Sequence, residues 1–216
     1  MPIPDFDSDT FVAFTDISGF KVMMNDGTKA IKAIDRFYSI GYECLKQNGA
    51  VHGLFLSDCG VLFSHETHIH EKDVLAPLLN VIEQLNRRLL RHDIMLTTSI
   101  AFGRFSYHQR LEFPGIEKNP IYVHAYVAAF LDNETGSPKI QPGECRIVKN
   151  GLPDGALNGF ARIRERRGGA YFHWMVSNQT EIEEFQRRYS DAYQLKYRGM
   201  LEALKWSGQP RHATDG

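Results

Sequence analysis

The chain has 216 residues, 43% hydrophobic and 24% charged, with a formal net charge of −1. That is enough for one domain with a real core, and so small a charge favours neither nucleic acid nor an anionic membrane as a partner. Three scattered cysteines make no disulfide framework, no apolar run approaches the roughly 20 residues of a membrane span, and residues 1–9 lack the basic start of a leader, so the expected compartment is the reducing cytoplasm.

Phe11 to Ile17 is short and apolar, which predicts a buried strand. Ser18-Gly19 turns the chain. From Thr28 to Asn48, Ile31, Ile34, Phe37, Tyr38, Cys44 and Leu45 recur at helical spacing, with Gly49 as a stop. Val51 to Leu56 and Val61 to Ser64 flank Ser57-Asp58-Cys59-Gly60, a hairpin signal. Glu71 to His92 carries a broad apolar helical face, with Pro77 marking its true start or a kink. Ile94 to Gly103 predicts a strand, Phe105 to Lys118 a long loop, and Ile121 to Leu131 a buried helix. After a turn-rich break at Asn133 to Gln141, strands are expected at Cys145 to Val148 and Tyr171 to Val176. Thr180 to Trp206 reads as a long charged helix, opened by a capping box of Thr180 and Glu183. The fold class is therefore α+β, a ferredoxin-like βαββαβ core with added C-terminal strands and a long terminal helix. We expect one domain over residues 1–208 and a disordered tail over 209–216.

Two aspartates stand out, each at the end of an apolar run. Asp16 closes Phe11-Val12-Ala13-Phe14-Thr15-Asp16, and Asp58 sits in the hairpin turn, with Gly19 and Gly60 close by. Two strand segments that each deliver a carboxylate can hold a divalent metal, and the N–H groups of a turn such as Ile17-Ser18-Gly19-Phe20 can form an anion nest. An aspartate also ends strands merely to cap a turn, but two on this layout point to phosphate chemistry.

Asp16-Ile17-Ser18-Gly19-Phe20 resembles the first metal motif of the class III nucleotidyl cyclases, and Ser57-Asp58-Cys59-Gly60-Val61-Leu62-Phe63 looks like their second. Leu96 to Gly103 is similar to the family's next strand. The resemblance covers roughly residues 10 to 132. It implies a phosphorus–oxygen lyase in which Asp16, Asp58 and the Ile17 carbonyl bind two divalent cations, Mn2+ or Mg2+. The ribose 3′-hydroxyl attacks the α-phosphate, giving a cyclic nucleotide and pyrophosphate. It also implies that Phe14, Ser18, Gly19, Phe20 and Lys21 lie with the substrate, and that a homodimer shares its active sites.

Two departures narrow that resemblance. The Asn and Arg that the family carries on the helix after its fourth strand are replaced here by Tyr126 and Phe130, and its base-reading Lys falls near Leu54. Asn119-Pro120-Ile121-Tyr122-Val123-His124-Ala125-Tyr126 instead looks like a segment of the pyrimidine cyclases of bacterial Pycsar antiphage systems. Those enzymes make cyclic UMP or cyclic CMP. UTP is then the expected substrate, Tyr126 a catalytic candidate, and Asn119 and His52 base-pocket candidates. Tyr122 and Tyr126, four apart, also fit a packed helical face. A purine cyclase and a catalytically dead nucleotide-binding or dimerisation module stay open.

Other clusters are weaker. His65-Glu66-Thr67-His68-Ile69-His70 lacks zinc-motif spacing and reads as a solvated loop. Arg162 and Arg164 could reach the triphosphate in place of the missing Arg, or belong to a solvated hairpin. Trp174 and Trp206 read as packing residues.

Overall fold

A computed structural model of the chain describes residues 3–65, 71–108, 110–113, 116–118, 121–122, 124–166 and 169–176. The elements in order are β1 (Phe6–Ile17), a short α1 (Phe20–Met23), α2 (Gly27–Gln47), β2 (Val51–Leu56), β3 (Cys59–Ser64), α3 (Glu71–Leu90) and β4 (Leu96–Tyr107). There follow β5 (Arg110–Phe113), β6 (Ile116–Lys118), β7 (Ile121–Tyr122), α4 (His124–Thr135), β8 (Cys145–Ile147), β9 (Ile163–Arg166) and β10 (Gly169–Phe172). The helix expected from Thr180 and the tail lie outside the described residues.

One sheet runs β2-β3-β1-β4-β8-β10-β9, with β7 also pairing β4. Its first four strands and the helices α2 and α3 are the ferredoxin-like core. β8 joins β4 in parallel, reached through the crossover helix α4, and β10 and β9 extend that edge. β1 is central and buried on both faces, which explains its unbroken apolar run. Phe11, Ala13 and Ile17 pack under α2 and α3, while Val12 and Phe14 face Ala125 and Ala129 of α4. Alternation therefore sends Asp16, two residues past Phe14, to the α4 face. Asp26 starts α2 by accepting a hydrogen bond from the Lys29 N–H at 3.2 Å.

Several expectations change. Gly103 does not end β4, which runs on to Tyr107 because Phe105 and Tyr107 bury against Phe63. The expected loop from Phe105 contains the β5–β6 hairpin instead. Ile121 and Tyr122 pair with Tyr107 and Ser106, so the helix begins only at His124. That helix is not buried all round. Ala125, Ala129 and Asn133 are buried, whereas Val127, Phe130 and Leu131 are 47%, 37% and 49% exposed. Pro77 lies inside α3 and does not mark its start.

Candidate active site

The two aspartates come together through backbone pairing. Asp16 is flanked by Cys59 of β3 and Thr97 of β4. Asp58 sits in the two-residue turn between β2 and β3, where Ser57 takes a left-handed φ of 55°. The Ile17 N–H donates to the Asp58 carbonyl at 2.9 Å, tying the turn to the end of β1. The Ser18 N–H then donates to Met95 O at 2.8 Å, and Gly19, at φ 75°, swings the chain into α1. A left-handed φ there suits glycine, which has no Cβ to strain.

Three carboxyl groups, Asp16, Asp58 and Glu134, act on one another at this end of β1. The Asp16 carboxyl is pushed up to about 7, first by burial and then by the charges of Asp58 and Glu134. The Cys59 thiol is pushed up to about 11 by burial, with Asp16 and Asp58 adding to it. Two carboxylates that repel in a half-buried setting offer hard oxygen donors only, which suits Mg2+ or Mn2+ over a softer metal. Among the described residues no group of three or more His, Cys, Asp or Glu forms a metal cage. Further ligands would have to be backbone, water or phosphate oxygens.

The remaining candidates divide. The Phe14 side chain is only 3% exposed, under Tyr126 and Phe130 at centroid distances of 6.3 and 5.2 Å. Its ring is thus packing for the Tyr126–Phe130 stack and not an open ligand surface. The Tyr126 phenol is pushed up by burial and by Cys59, so this tyrosine lies towards the carboxylate end of the sheet. Phe20 is a core residue, Lys21 is exposed on α1, and the buried Ser18 hydroxyl has no partner among the described residues. His52 shares a row with Phe63 and Val12, four residues or about 13 Å along the strand from the Asp16 row. Its ring meets His65 edge-on at 4.8 Å. Asn119 and residues 66–70 of the histidine run lie outside the described residues.

Of Arg162 and Arg164, the substitutes expected for the missing Arg, the first is committed elsewhere, as is the neighbouring Arg166. Arg162 pairs with Glu83 at 2.6 Å and lies over Phe172, and Arg166 pairs with Glu144 and lies over Tyr171. Arg164 and Arg166 lie on β9 and Arg162 immediately precedes it; β9 is four strands from β1, or about 19 Å, so none of the three serves the Asp16 of its own chain. Trp174 packs as expected, 2% exposed, with its indole N–H on Gly143 O at 2.8 Å.

Sequence reasoning missed a polar clamp at the end of α4. Asp132 accepts from Ser99 Oγ at 2.6 Å and from Arg146 Nε at 2.9 Å, and the buried Arg146 also donates to the Asp132 carbonyl. Thr97 Oγ1 donates to Asn133 Oδ1 at 3.1 Å. These partners are 14 to 36 residues apart, so no local pattern signals them.

No family model matches the chain, and no curated protein matches it. Solved structures do. The adenylyl cyclase CyaB from P. aeruginosa aligns with a TM-score of 0.58 at 12% identity, covering 83% of this chain and 99% of its own. The guanylate cyclase domain of RhGC from Catenaria anguillulae, solved with GTP, gives 0.58 and 12%, covering 78% and 96%. A dimeric guanylyl cyclase domain from the RhoGC fusion protein of Blastocladiella emersonii gives 0.57 and 12%, covering 78% and 96%. The chain has the class III cyclase catalytic-domain fold. At such low identity the likeness is one of fold, and what the site does rests on its own residues. No helix among the described residues is long and apolar enough to cross a membrane.

Proposed function

We propose that this chain is a nucleotidyl cyclase acting on a pyrimidine nucleoside triphosphate, UTP first and CTP next, to give the 3′,5′-cyclic monophosphate and pyrophosphate. The observation that carries the reading is the Asp16–Asp58 pair, joined by the Ile17-to-Asp58 backbone bond at the end of a cyclase-fold β1. Asp16, Asp58 and the Ile17 carbonyl would hold the cations. When bound, two Mn2+ or Mg2+ ions supply Lewis-acid stabilisation of the phosphate charge and ease loss of the 3′-hydroxyl proton.

The chain's own contribution is positioning. The Ile17 and Ser18 N–H groups are spent on Asp58 O and Met95 O, so the N–H groups of Gly19 and Phe20 would face the triphosphate, and Lys21 would add an exposed cation beside them. Oxygen O3′ bonds to the α-phosphorus, the bridging bond to the β-phosphate breaks, and pyrophosphate leaves. Val127, Phe130 and Leu131 give α4 an exposed apolar face, which supports a second copy covering it, and in that dimer Tyr126 would serve a shared site. Asn119 and His52 are the base-pocket residues of this reading. The pyrimidine choice and a role in antiphage signalling rest on the Asn119-to-Tyr126 resemblance.

A purine cyclase is the second reading, favoured by the adenylyl and guanylyl cyclases among the solved neighbours. A catalytically dead nucleotide-binding module is the third, favoured by Tyr126 and Phe130 in place of Asn and Arg. One assay separates them: purified protein with each of the four ribonucleoside triphosphates and Mn2+, products identified by mass. Cyclic UMP or cyclic CMP supports the proposal and a cyclic purine nucleotide the second reading. No product from an intact dimer sinks both enzymatic readings.

A further inference from the structure

Three consecutive residues at the end of α4 bear on the carboxylate site. Asp132 is clamped by Ser99 and Arg146, so the turn that carries it is pinned to the sheet. Glu134 is close enough for its charge to raise the Asp16 carboxyl. Asn133, between them, is only 5% exposed, and its Nδ2 has no hydrogen-bond partner among the described residues. Its Oδ1 accepts from Thr97 Oγ1 at 3.1 Å. Thr97 in turn is the residue of β4 directly opposite Asp16. Opposed residues share a sheet face, with Cβ atoms about 5 Å apart. The Asn133 amide is therefore one side chain removed from the Asp16 carboxylate.

A buried amide with one end unsatisfied bears the desolvation cost of that end with nothing to offset it. Turning the amide over does not remove that cost, because the other atom is then left without a partner. A packed core would do better with leucine at this position. The clamp at Asp132 pins the turn that carries this unsatisfied amide, one side chain away from the Asp16 carboxylate. That is the arrangement by which residues behind a metal ligand orient it.

We propose that Thr97 and Asn133 are positioning residues for the divalent cation at Asp16. The Thr97 hydroxyl fixes the turn of the Asn133 amide, and the amide N–H group supports the carboxylate or the oxygen ligands around it when the cation is bound. The proposal rests on the two-aspartate metal reading, and it goes beyond that reading by naming a support that acts through Asp16.

Mn2+ affinity, read by the loss of free-ion signal in electron paramagnetic resonance, tests it without turnover. Asn133→Ala and the near-isosteric Thr97→Val are each expected to weaken Mn2+ about tenfold or more. The double variant should be no weaker than the worse single, because the pair acts as one unit. Thermal melts of the cation-free variants add a second readout. A positioning role leaves Asn133→Ala as stable as wild type or more so, since an unsatisfied group is removed. Unchanged Mn2+ affinity in both single variants overturns the proposal, as does additive loss in the double variant. Asp58→Ala is the reference: if it too leaves Mn2+ affinity unchanged, the two-aspartate reading has failed and not this support alone.

Discussion

The carboxylate end of β1 and the outer face of α4 are both costly, for opposite reasons. At the first, burial and the repulsion of Asp58 and Glu134 push the Asp16 carboxyl to about 7. At the second, Val127, Phe130 and Leu131 stand in solvent on a helix whose other side is packed. The first cost is electrostatic and would be relieved by a cation. The second is hydrophobic and would be relieved by apolar cover. Between them the Asp132–Arg146 clamp is internally satisfied and reads as architecture. Functional sites concentrate strain that folding alone would remove, which is the ground for reading function into the two costly regions and architecture into the clamp.

That contrast can be broken most decisively at Asp58. Asp58→Ala should lower turnover by about 100-fold or more, with an unchanged circular dichroism spectrum, because a charge-stabilising ligand is lost. Normal turnover in the folded variant would reject the metal assignment. The clamp should behave in the opposite way. Arg146→Ala strands the Asp132 carboxylate in a half-buried setting and should cost about 3 kcal/mol in urea unfolding. A loss well under 1 kcal/mol would remove the clamp from the architecture.

Asp16 gives a pH signature. Its folded value, about 7, lies above the ordinary 3.8, so the native state holds the proton more tightly than the unfolded chain. Stability without divalent cation should therefore fall as pH rises from about 4 to about 7. Asp16→Asn should flatten that fall and be more stable at pH 8 by about 2 kcal/mol, roughly half the full shift because solvent screens this partly exposed group. Equal pH slopes for both proteins would show that Asp16 is not the strained group. The smallest expected effect is on α4. Phe130→Glu should weaken self-association by about tenfold in analytical ultracentrifugation. An unchanged association constant would move the dimer surface away from this helix.

Much of the fold was legible in the chain. The 3.6-residue periodicity of α2 and α3 and the hairpin around Asp58 follow from local pattern, and so does the buried run of β1. The errors came where pairing with distant strands overrode local signals. Gly103 reads as a stop, yet β1 holds β4 in register for four residues beyond it. Ile121 and Tyr122 read as helix, yet β4 recruits them as a strand. Within the site, Asp16 and Asp58 were readable because each lies in a contiguous motif. Thr97, Asp132, Asn133 and Arg146 were not, because their contacts span strands and a crossover helix.

The sequence by itself determined the elements of the core, the two aspartates and the turn after Asp16. Its resemblance to the cyclase family also implied Tyr126 and Phe130 in the places of that family's Asn and Arg. Only the tertiary structure decided which groups share the site. Strand register set Thr97 opposite Asp16, and the β4–α4–β8 crossover brought the end of α4 back beside it. The same sheet order carried Arg162 and Arg164 four strands away. Register and crossover are fixed by pairing and packing between segments far apart in the chain, and no stretch of local sequence encodes them.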